Sequence, residues 1–381
     1  MKQNKTNKKF MLLSAIGIFM VVDHHTFTAL NLFGDYIPYN SFFMPMFVFI
    51  SGYFNKVDSE TKMGPYTLKK IKSLLVPYLG ISFAVFIFQQ LINLFKMGQL
   101  EPVSPGYLLY MLERVVTCGS PFALVTPMWF VITLFATLMI YALLKKSLYK
   151  FWNSYVMFGL FTALQLLAVY LAKSQPEEVL HWFLLPLKVM FFLPFLEMGK
   201  IYKDNLEEKH CGLSGGGKVG LMAALLFINM LRTTYLPAAY DVAFDSLDEL
   251  AGFTSPFIVT PMISSLVGIF FWLTFVDLIG NVLYESRFIN FMSNNTFWIM
   301  GFHIMFYNVL NCIFLLIDNI FGLPYFDAQA FRDSEWYMWE ISPNIKLAYV
   351  LIGILGPLSF KWIFSSIVNK LPMNKNAKKC N

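Results

Sequence analysis

Residues 256–279 have the sequence PFIVTPMISSLVGIFFWLTFVDLI, which contains a single charged side chain, Asp277. A helix needs about 20 predominantly apolar residues to cross the hydrocarbon core of a bilayer, so this stretch is long enough to cross it once. The whole chain has the same character, because 57% of its 381 residues are hydrophobic and 14% are charged. Soluble domains contain about 45–50% apolar and 25% charged residues. The composition therefore excludes an ordinary soluble protein and favours an integral membrane protein.

Apolar stretches of this kind recur along the chain and predict an all-α integral membrane fold, a single bundle of about ten transmembrane helices. Residues 1–381 are expected to form one domain. The first span follows four lysines, but no small-residue cleavage site comes after it, so it is expected to stay as a helix. The spans are predicted near 10–30, 40–55, 73–95, 122–144, 152–172, 182–199, 219–236, 256–279, 291–317 and 347–369.

The distribution of Lys and Arg predicts the orientation of these helices. When the loops alternate between the two sides of the membrane, 21 of the 29 Lys and Arg lie on the side of the N-terminus and six lie on the other side. Short loops rich in Lys and Arg stay in the cytoplasm. Both termini are therefore predicted to be cytoplasmic, with the basic loops facing anionic membrane lipid. This asymmetry accounts for the net charge of +6 without a nucleic acid partner.

The cysteines give no sign of a disulfide framework or a metal centre. Cys118, Cys211, Cys312 and Cys380 are far apart in the sequence, with no C-x-x-C pair and no histidine at zinc-like spacing. Residues 215–217 are three glycines, but Lys-Ser or Lys-Thr, which a phosphate-binding loop requires, does not follow them. No metal and no permanently bound cofactor is expected.

Ionisable side chains inside the predicted spans are candidates for function, because each costs at least about 2.5 kcal/mol in the middle of a bilayer. Asp23, His24 and His25 lie in the first span, and His303 lies in the ninth. At 1.5 Å per residue, His25 lies about 22 Å and His303 about 10–22 Å from the cytoplasmic start of its helix, so the two could meet. Neighbouring residues on a helix point about 100° apart, so only one of His24 and His25 is expected to face a shared cavity.

Four other charged residues lie inside predicted spans, and structural roles are expected for them. Lys188 and Lys361 could pair with other side chains inside the bundle. Glu197 and Asp277 lie near the cytoplasmic ends of their spans, where a carboxylate can reach water.

Three stretches resemble motifs of the membrane-bound acyltransferase 3 family, which includes bacterial surface-polysaccharide O-acetyltransferases. They are IGIFMVVDHH at 16–25, FMPMFVFISGY at 43–53 and SNNTFWIMGFH at 293–303. Weaker similarities occur in KKIKSLLVPY at 69–78 and PMWFVITLF at 127–135. The motifs follow the order that they have in the family, so the resemblance covers nearly the whole chain.

The resemblance implies a membrane O-acyltransferase in the bacterial cytoplasmic membrane. The implied donor is cytoplasmic acyl-CoA, with acetyl-CoA expected, and the implied acceptor is a hydroxyl group of a cell-surface or lipid-linked saccharide. Polysaccharide synthesis machinery is a further expected partner. Lys69, Lys70 and Lys72 match the family's basic segment and are the expected contacts for the CoA phosphates; the alternative is that they only keep a loop in the cytoplasm. Ser73 stands where family members commonly have an arginine, and the arginine that many members carry before the first-helix histidine is absent.

The resemblance also implies roles for the polar residues of the spans. His25 falls on the histidine of the first-helix motif, and a neutral imidazole there can take the proton of the acceptor hydroxyl or carry the acyl group itself. His303 could orient His25, bind the thioester carbonyl oxygen or only pack. Asp23 could set a histidine tautomer, as carboxylates do in catalytic triads, or be a local helix-end acid. His24 is the remaining catalytic candidate.

Two further expectations concern contacts. The segment Ser51–Tyr53, with Gly52 at its centre, should let the second span approach its neighbours closely, because small residues favour helix contact in lipid. Trp336, Tyr337 and Trp339 lie in a loop predicted to be outside the cell, where aromatic faces among acidic residues suit a saccharide. The alternative for this loop is an amphipathic segment at the lipid interface, where Trp and Tyr collect.

Two other functions fit a polytopic membrane protein. The main alternative is a non-enzymatic exporter or flippase of a polysaccharide or its precursor, with the polar residues lining a path. A membrane scaffold within a polysaccharide synthesis complex would need no buried histidines. Carrier folds often contain internal repeats with paired broken helices. The two halves of this chain show no such similarity, which favours the enzyme.

Overall fold

The computed structural model describes residues 2–26, 29–30, 32–95, 97, 104–174, 177–236, 258–333 and 345–370. The described residues form helices joined by loops and contain no β-strand, in agreement with the predicted all-α fold. In chain order the helices are α1 (Lys2–His24), α2 (Phe43–Tyr53), α3 (Met63–Lys70), α4 (Val76–Leu94), α5 (Pro105–Thr117), α6 (Trp129–Ser147), α7 (Ser154–Ser174), α8 (Glu177–Ile201), α9 (Glu207–Cys211), α10 (Gly215–Tyr235), α11 (Thr260–Leu283), α12 (Arg287–Asn294), α13 (Thr296–Phe321), α14 (Ala328–Asp333) and α15 (Lys346–Lys370).

Within the described part of the chain, seven helical segments are long and apolar enough to cross a membrane. Two of them continue through a π-helical turn, which joins α3 to α4 at Ile71–Leu75 and α8 to α9 at Tyr202–Leu206. The chain is therefore a multi-pass membrane protein. The segments are Met63–Leu94, Ala123–Ser147, Ser154–Ala172, Trp182–Cys211, Thr260–Gly280, Thr296–Phe321 and Lys346–Ile367.

The three remaining predicted spans are helices that are either too short or too polar to count among these seven. α1 covers the first predicted span and carries Lys8, Lys9 and Asp23. α2 has 11 residues, which make about 16 Å of helix, roughly half the thickness of a hydrocarbon core. α10 covers the seventh predicted span and carries Lys218 and Arg232. The number of about ten transmembrane helices therefore stays a prediction.

The lysine-rich loops meet at one end of the bundle, here called the basic end. Lys146 donates a hydrogen bond to the carbonyl oxygen of Thr61 at 3.1 Å. Lys8, near the start of α1, forms an ion pair with Glu285. These contacts join loops that the charge pattern assigns to one side of the membrane. The basic end comprises the N-terminus of α1 and residues 54–62, 148–153, 202–214 and 284–286.

α1 runs through the middle of the bundle. It contacts α2, α11, α12, α13 and α15, and most of its apolar side chains from Phe10 to Val22 are buried. Its lysines lie at the basic end, and its last residue, His24, lies about 22 Å further along the helix axis than Lys9. The end of α1 that carries Asp23 and His24 is therefore surrounded by other helices.

α2 and α8 cross in backbone contact at two glycines. A Cβ on Gly52 would lie 1.9 Å from the carbonyl oxygen of Leu196, and one on Gly199 would lie 2.1 Å from the carbonyl oxygen of Phe49. No side chain fits at either position. The close approach expected of Gly52 is confirmed.

Candidate active site

His25 directly follows α1, and its proton can be assigned from its neighbours. Its Nδ1 atom lies 2.6 Å from the carbonyl oxygen of Val21, one turn earlier. A carbonyl oxygen only accepts hydrogen bonds, so we assign the ring proton to Nδ1. The lone pair of the neutral imidazole is then on Nε2, which is the atom that can take a proton from a substrate.

His303 lies in α13, is fully buried and meets His25. Its Nδ1 atom lies 3.0 Å from the carbonyl oxygen of Ile299, so its own proton is on Nδ1 and its Nε2 accepts. This Nε2 lies 3.3 Å from Nδ1 of His25, and the ring centroids are 4.9 Å apart. The Nδ1 proton of His25 is therefore shared between the Val21 carbonyl and His303. Two residues 278 positions apart in sequence form one pair.

His24 lies beside this pair, between His25 and α2. Its ring packs against Phe43 of α2 with a centroid distance of 5.6 Å, and it meets the ring of His25 edge-on at the same distance. Successive residues on a helix cannot face one neighbour equally. Of the two adjacent histidines, His25 is the one in hydrogen-bond contact with α13.

Asp23 is fully buried at the end of α1. Its two carboxylate oxygens accept the backbone N–H of Leu30 at 3.1 and 3.3 Å, and its backbone carbonyl accepts the hydroxyl of Thr26 at 2.9 Å. The carboxylate thus holds the loop that follows α1 against the end of the helix. The group that sets the tautomer of His25 in this geometry is the Val21 carbonyl, and a catalytic role for Asp23 stays a prediction.

The family model of an acyltransferase domain, that of the acyltransferase 3 family, matches residues 9–364. The chain belongs to the acyltransferase 3 family. Neither curated proteins nor solved structures gave a match. Together with the seven long apolar helices among the described residues, family membership makes the chain a membrane acyltransferase.

The predicted donor contacts of the acyltransferase lie on α3, which directly follows residues 54–62 of the basic end, and on the π-helical turn after it. Lys69 and Lys72 are exposed, and Lys70 is partly buried with its ammonium 5.6 Å from the centre of the Tyr66 ring. The three lysines are close in sequence and spaced around a helix, so they form a basic surface at the start of a long apolar segment. The structure does not bring them to the histidine pair.

The predicted saccharide contacts lie outside the described residues. Trp336, Tyr337 and Trp339 belong to residues 334–344, and their assignment stays a prediction.

Buried charges elsewhere in the acyltransferase have structural partners. Glu197 is fully buried and accepts hydrogen bonds from the Tyr141 hydroxyl and from the indole N–H of Trp152, the latter at 3.3 Å. Lys145 donates to the same tyrosine hydroxyl at 3.2 Å. The ammonium of Lys361 lies 4.2 Å from the centre of a tryptophan ring on α13. The Lys361 contact agrees with the structural role expected for it. Glu197 also has a structural role, but its carboxylate is held by side chains inside the bundle and does not reach water, although its place near the end of a span predicted that it would.

Lys188 holds a buried loop that precedes α6. Its ammonium donates to the carbonyl oxygen of Cys118 at 3.0 Å and lies 4.2 Å from the centre of the Trp129 ring. The Tyr78 hydroxyl donates to the next carbonyl, that of Gly119, at 3.0 Å. A backbone carbonyl buried away from water needs a hydrogen-bond donor, and these two side chains supply one to each of the two carbonyls. Sequence reasoning assigned Lys188 a structural role without locating this loop.

One cluster at the basic end has the composition of a metal site. Among the described residues, ligand atoms of His210, Cys211 and Asp277 lie within 4.8 Å of one another. The ammonium of Lys9 already lies there, 3.6 Å from the Cys211 sulfur and 3.7 Å from Oδ1 of Asp277. Both ring nitrogens of His210 are hydrogen-bonded to hydroxyl groups. The cluster therefore binds the protein's own cation and anchors the start of α1.

Sequence reasoning missed one residue beside the histidine pair. Tyr307 follows His303 by one helical turn, and the two rings meet edge-on with centroids 5.7 Å apart. The spacing of four residues was the available signal, because residues i and i+4 lie on one face of a helix. A tyrosine four residues from a buried histidine did not stand out in a chain with 19 tyrosines.

Proposed function

We propose that this acyltransferase moves an acyl group, specifically acetyl, from cytoplasmic acyl-CoA to a hydroxyl group of a cell-surface or lipid-linked saccharide. The histidine pair is the observation that supports this proposal. Val21 and His303 both lie at Nδ1 of His25, so the lone pair is left on Nε2. An alcohol needs such a neutral base to attack a thioester.

Direct transfer begins when Nε2 of His25 takes the proton of the acceptor hydroxyl. The hydroxyl oxygen forms a bond to the thioester carbon, the carbon–sulfur bond breaks, and the departing CoA sulfur takes the proton from Nε2. The imidazolium that exists between these events is stabilised by two acceptors at Nδ1, the Val21 carbonyl and Nε2 of His303. If His25 instead carries the acyl group, the same lone pair attacks the thioester carbon and CoA leaves as a thiolate. The acceptor oxygen then bonds the acyl carbon, the bond from that carbon to Nε2 breaks, and the hydroxyl proton passes to the thiolate.

The two substrates are proposed to approach the pair from opposite sides of a bacterial cytoplasmic membrane. With the basic end in the cytoplasm, both termini are cytoplasmic and α1, α2 and α10 complete a bundle of about ten membrane helices. His25 then lies about 24 Å along α1 from Lys9, towards the outer leaflet. This depth favours an acceptor that arrives from outside and a donor whose acyl end reaches up from within.

The phosphates of the donor are proposed to bind Lys69, Lys70 and Lys72. Their position on the helix that directly follows residues 54–62 of the basic end supports this assignment, because CoA carries several negative charges and arrives from the cytoplasm. Lysines act on phosphate as point charges and lack the bidentate geometry of arginine. The acceptor is proposed to bind near Trp336, Tyr337 and Trp339, and polysaccharide synthesis machinery would supply it.

Mass spectrometry of surface glycans tests the proposal. Cells that make the wild-type protein should carry glycans heavier by one acetyl group per modified sugar than cells that lack it. His25→Ala should abolish this mass difference, because it removes the proposed base, while the protein still inserts at normal abundance. Unchanged acetylation in the His25→Ala variant would contradict the proposal, and loss of glycan export with acetylation intact would favour the exporter.

A further inference from the structure

The hydroxyl of Tyr307 connects the two helices that carry the histidine pair. It donates a hydrogen bond to the carbonyl oxygen of Val22 in α1 at 2.7 Å, and the side chain is 1% exposed. Tyr307 itself belongs to α13, one turn beyond His303. The bond therefore crosses from the helix of one histidine to the helix of the other.

The position of this bond on α1 relates it to the chemistry of His25. Val22 directly follows Val21, whose carbonyl accepts the Nδ1 proton of His25. Consecutive Cα atoms are about 3.8 Å apart, so the Val22 carbonyl cannot move far without moving the Val21 carbonyl. Holding Val22 against α13 thus holds both acceptors of the His25 proton, the Val21 carbonyl and His303, in one arrangement.

A glycine in α15 leaves the room that Tyr307 needs. A Cβ on Gly353 would lie 2.5 Å from Cε1 of Tyr307 and 2.9 Å from Cγ1 of Val22. Contacts this short do not occur between real side chains, so any larger residue would push the ring or α1 away. The backbone of α15 therefore supports the contact between Tyr307 and Val22 from behind.

We propose that Tyr307 is a positioning residue that keeps His25 within hydrogen-bond distance of His303. Tyr307 acts through the end of α1 and touches neither substrate. This inference rests on the proposed function for its effect on rate, while its effect on the geometry of His25 is independent of that function. Misplacing a catalytic group by about 1 Å can cost on the order of 100-fold in rate.

The test compares two variants that each lose one buried tyrosine hydroxyl. Tyr307→Phe removes the donor to Val22 and keeps the ring. Tyr349→Phe is the matched control, because Tyr349 is equally buried, lies 5.7 Å from Tyr307 between ring centroids, and donates its hydroxyl to Asn311 of α13. Each full-length variant is reconstituted in proteoliposomes with acetyl-CoA and with O-deacetylated surface glycan from the same cells.

Two readouts separate positioning from folding. The first is kcat against KM for acetyl-CoA, and the second is the rate at which diethyl pyrocarbonate modifies His25, mapped by mass spectrometry. For Tyr307→Phe we expect kcat to fall about 10- to 100-fold, because the substitution misplaces His25. We expect the KM for acetyl-CoA to stay unchanged, because the lysines proposed to bind the donor are not affected. We also expect His25 to be modified more slowly, because its Nδ1 proton loses an acceptor. Tyr349→Phe should keep the wild-type values and show the same melting temperature as Tyr307→Phe.

A second variant tests the support from α15. Gly353→Ala keeps the tyrosine hydroxyl but places a methyl group against the ring, so it should reproduce the fall in kcat. Wild-type kcat and wild-type modification of His25 in Tyr307→Phe would overturn the inference, and so would an equal loss in Tyr349→Phe. The proposed function and the positioning role can fail separately. If the wild-type protein transfers no acetyl group, the proposed function is wrong. If Tyr307→Phe still slows the modification of His25 in that case and Tyr349→Phe does not, the positioning role stands.

Discussion

A backbone carbonyl determines which nitrogen of His25 is basic. The Val21 oxygen lies 2.6 Å from Nδ1 and accepts only, so the proton is on Nδ1 and the lone pair is on Nε2. The sequence allowed a carboxylate, Asp23, to fulfil this role, since Asp23 is two residues away. In the structure that carboxylate bonds the Leu30 N–H instead. The direction of a side chain at the end of a helix depends on how the next loop folds back, and no local pattern encodes it.

His303→Ala tests the pairing at the residue scale. It removes the second acceptor of the His25 Nδ1 proton and leaves the Val21 carbonyl in place. We therefore expect kcat for acyl transfer to fall about 10- to 100-fold, a smaller loss than in His25→Ala, with the KM for acyl-CoA unchanged. Steady-state kinetics in proteoliposomes measure both quantities.

His24→Ala is the comparison for this experiment. The His24 ring packs on Phe43 rather than on α13, so its loss should leave kcat within the same order of magnitude as the wild type. If His24→Ala lowered kcat as far as His25→Ala does, the assignment of the base to His25 would be wrong.

Among the helices, α3 and α4 show what hydropathy detects and what it misses. The span predicted near 73–95 belongs to a helix that begins at Met63, because the chain continues through a π-helical turn across the lysine-rich segment. Apolar periodicity identifies the part of a helix that lies in lipid, and it gives no signal for a polar extension. Hydropathy also gave no sign of the loop that Lys188 holds. Most residues of this loop are apolar and buried, as in a membrane helix, but they form no long helix.

The contact between α2 and α8 gives a prediction at the element scale. Gly52→Ala would place a Cβ 1.9 Å from the Leu196 carbonyl oxygen, and overpacking of this kind costs about 1–3 kcal/mol. We expect a lower melting temperature in detergent. Gly159→Ala in α7 is the control, since nothing lies within 4 Å of its Cβ and Ala is favoured over Gly in a helix by about 0.5–1 kcal/mol. Equal melting temperatures for the two variants would show that α2 and α8 do not cross at Gly52.

In the whole molecule, loops that the charge pattern assigns to one side of the membrane meet at the basic end. Its lysines come from loops far apart in sequence, yet Lys146 bonds Thr61 and Lys8 pairs with Glu285. The grouping of these loops was predicted by counting Lys and Arg, and the fold brings the same loops together. The prediction that these loops face the cytoplasm needs a separate test.

Cysteine labelling tests that orientation with the chain's own thiols. Cys211 is exposed at the basic end, whereas Cys118 and Cys312 are buried. In a Cys380→Ser variant, a membrane-impermeant maleimide should label Cys211 in inverted membrane vesicles and leave intact spheroplasts unlabelled, since basic loops remain in the cytoplasm. Detergent-solubilised protein serves as the control for reactivity. Labelling of intact spheroplasts would reverse the proposed orientation.

The sequence by itself determined that this chain is a helical membrane protein with histidines inside apolar stretches. Partition into hydrocarbon depends on the composition of about 20 consecutive residues, which a sequence displays directly. Tertiary structure alone decided that His25 meets His303, and that the hydroxyl of Tyr307 bonds the end of α1. These contacts join α1 to α13 across 278 positions, so they depend on how whole helices pack and rotate against one another.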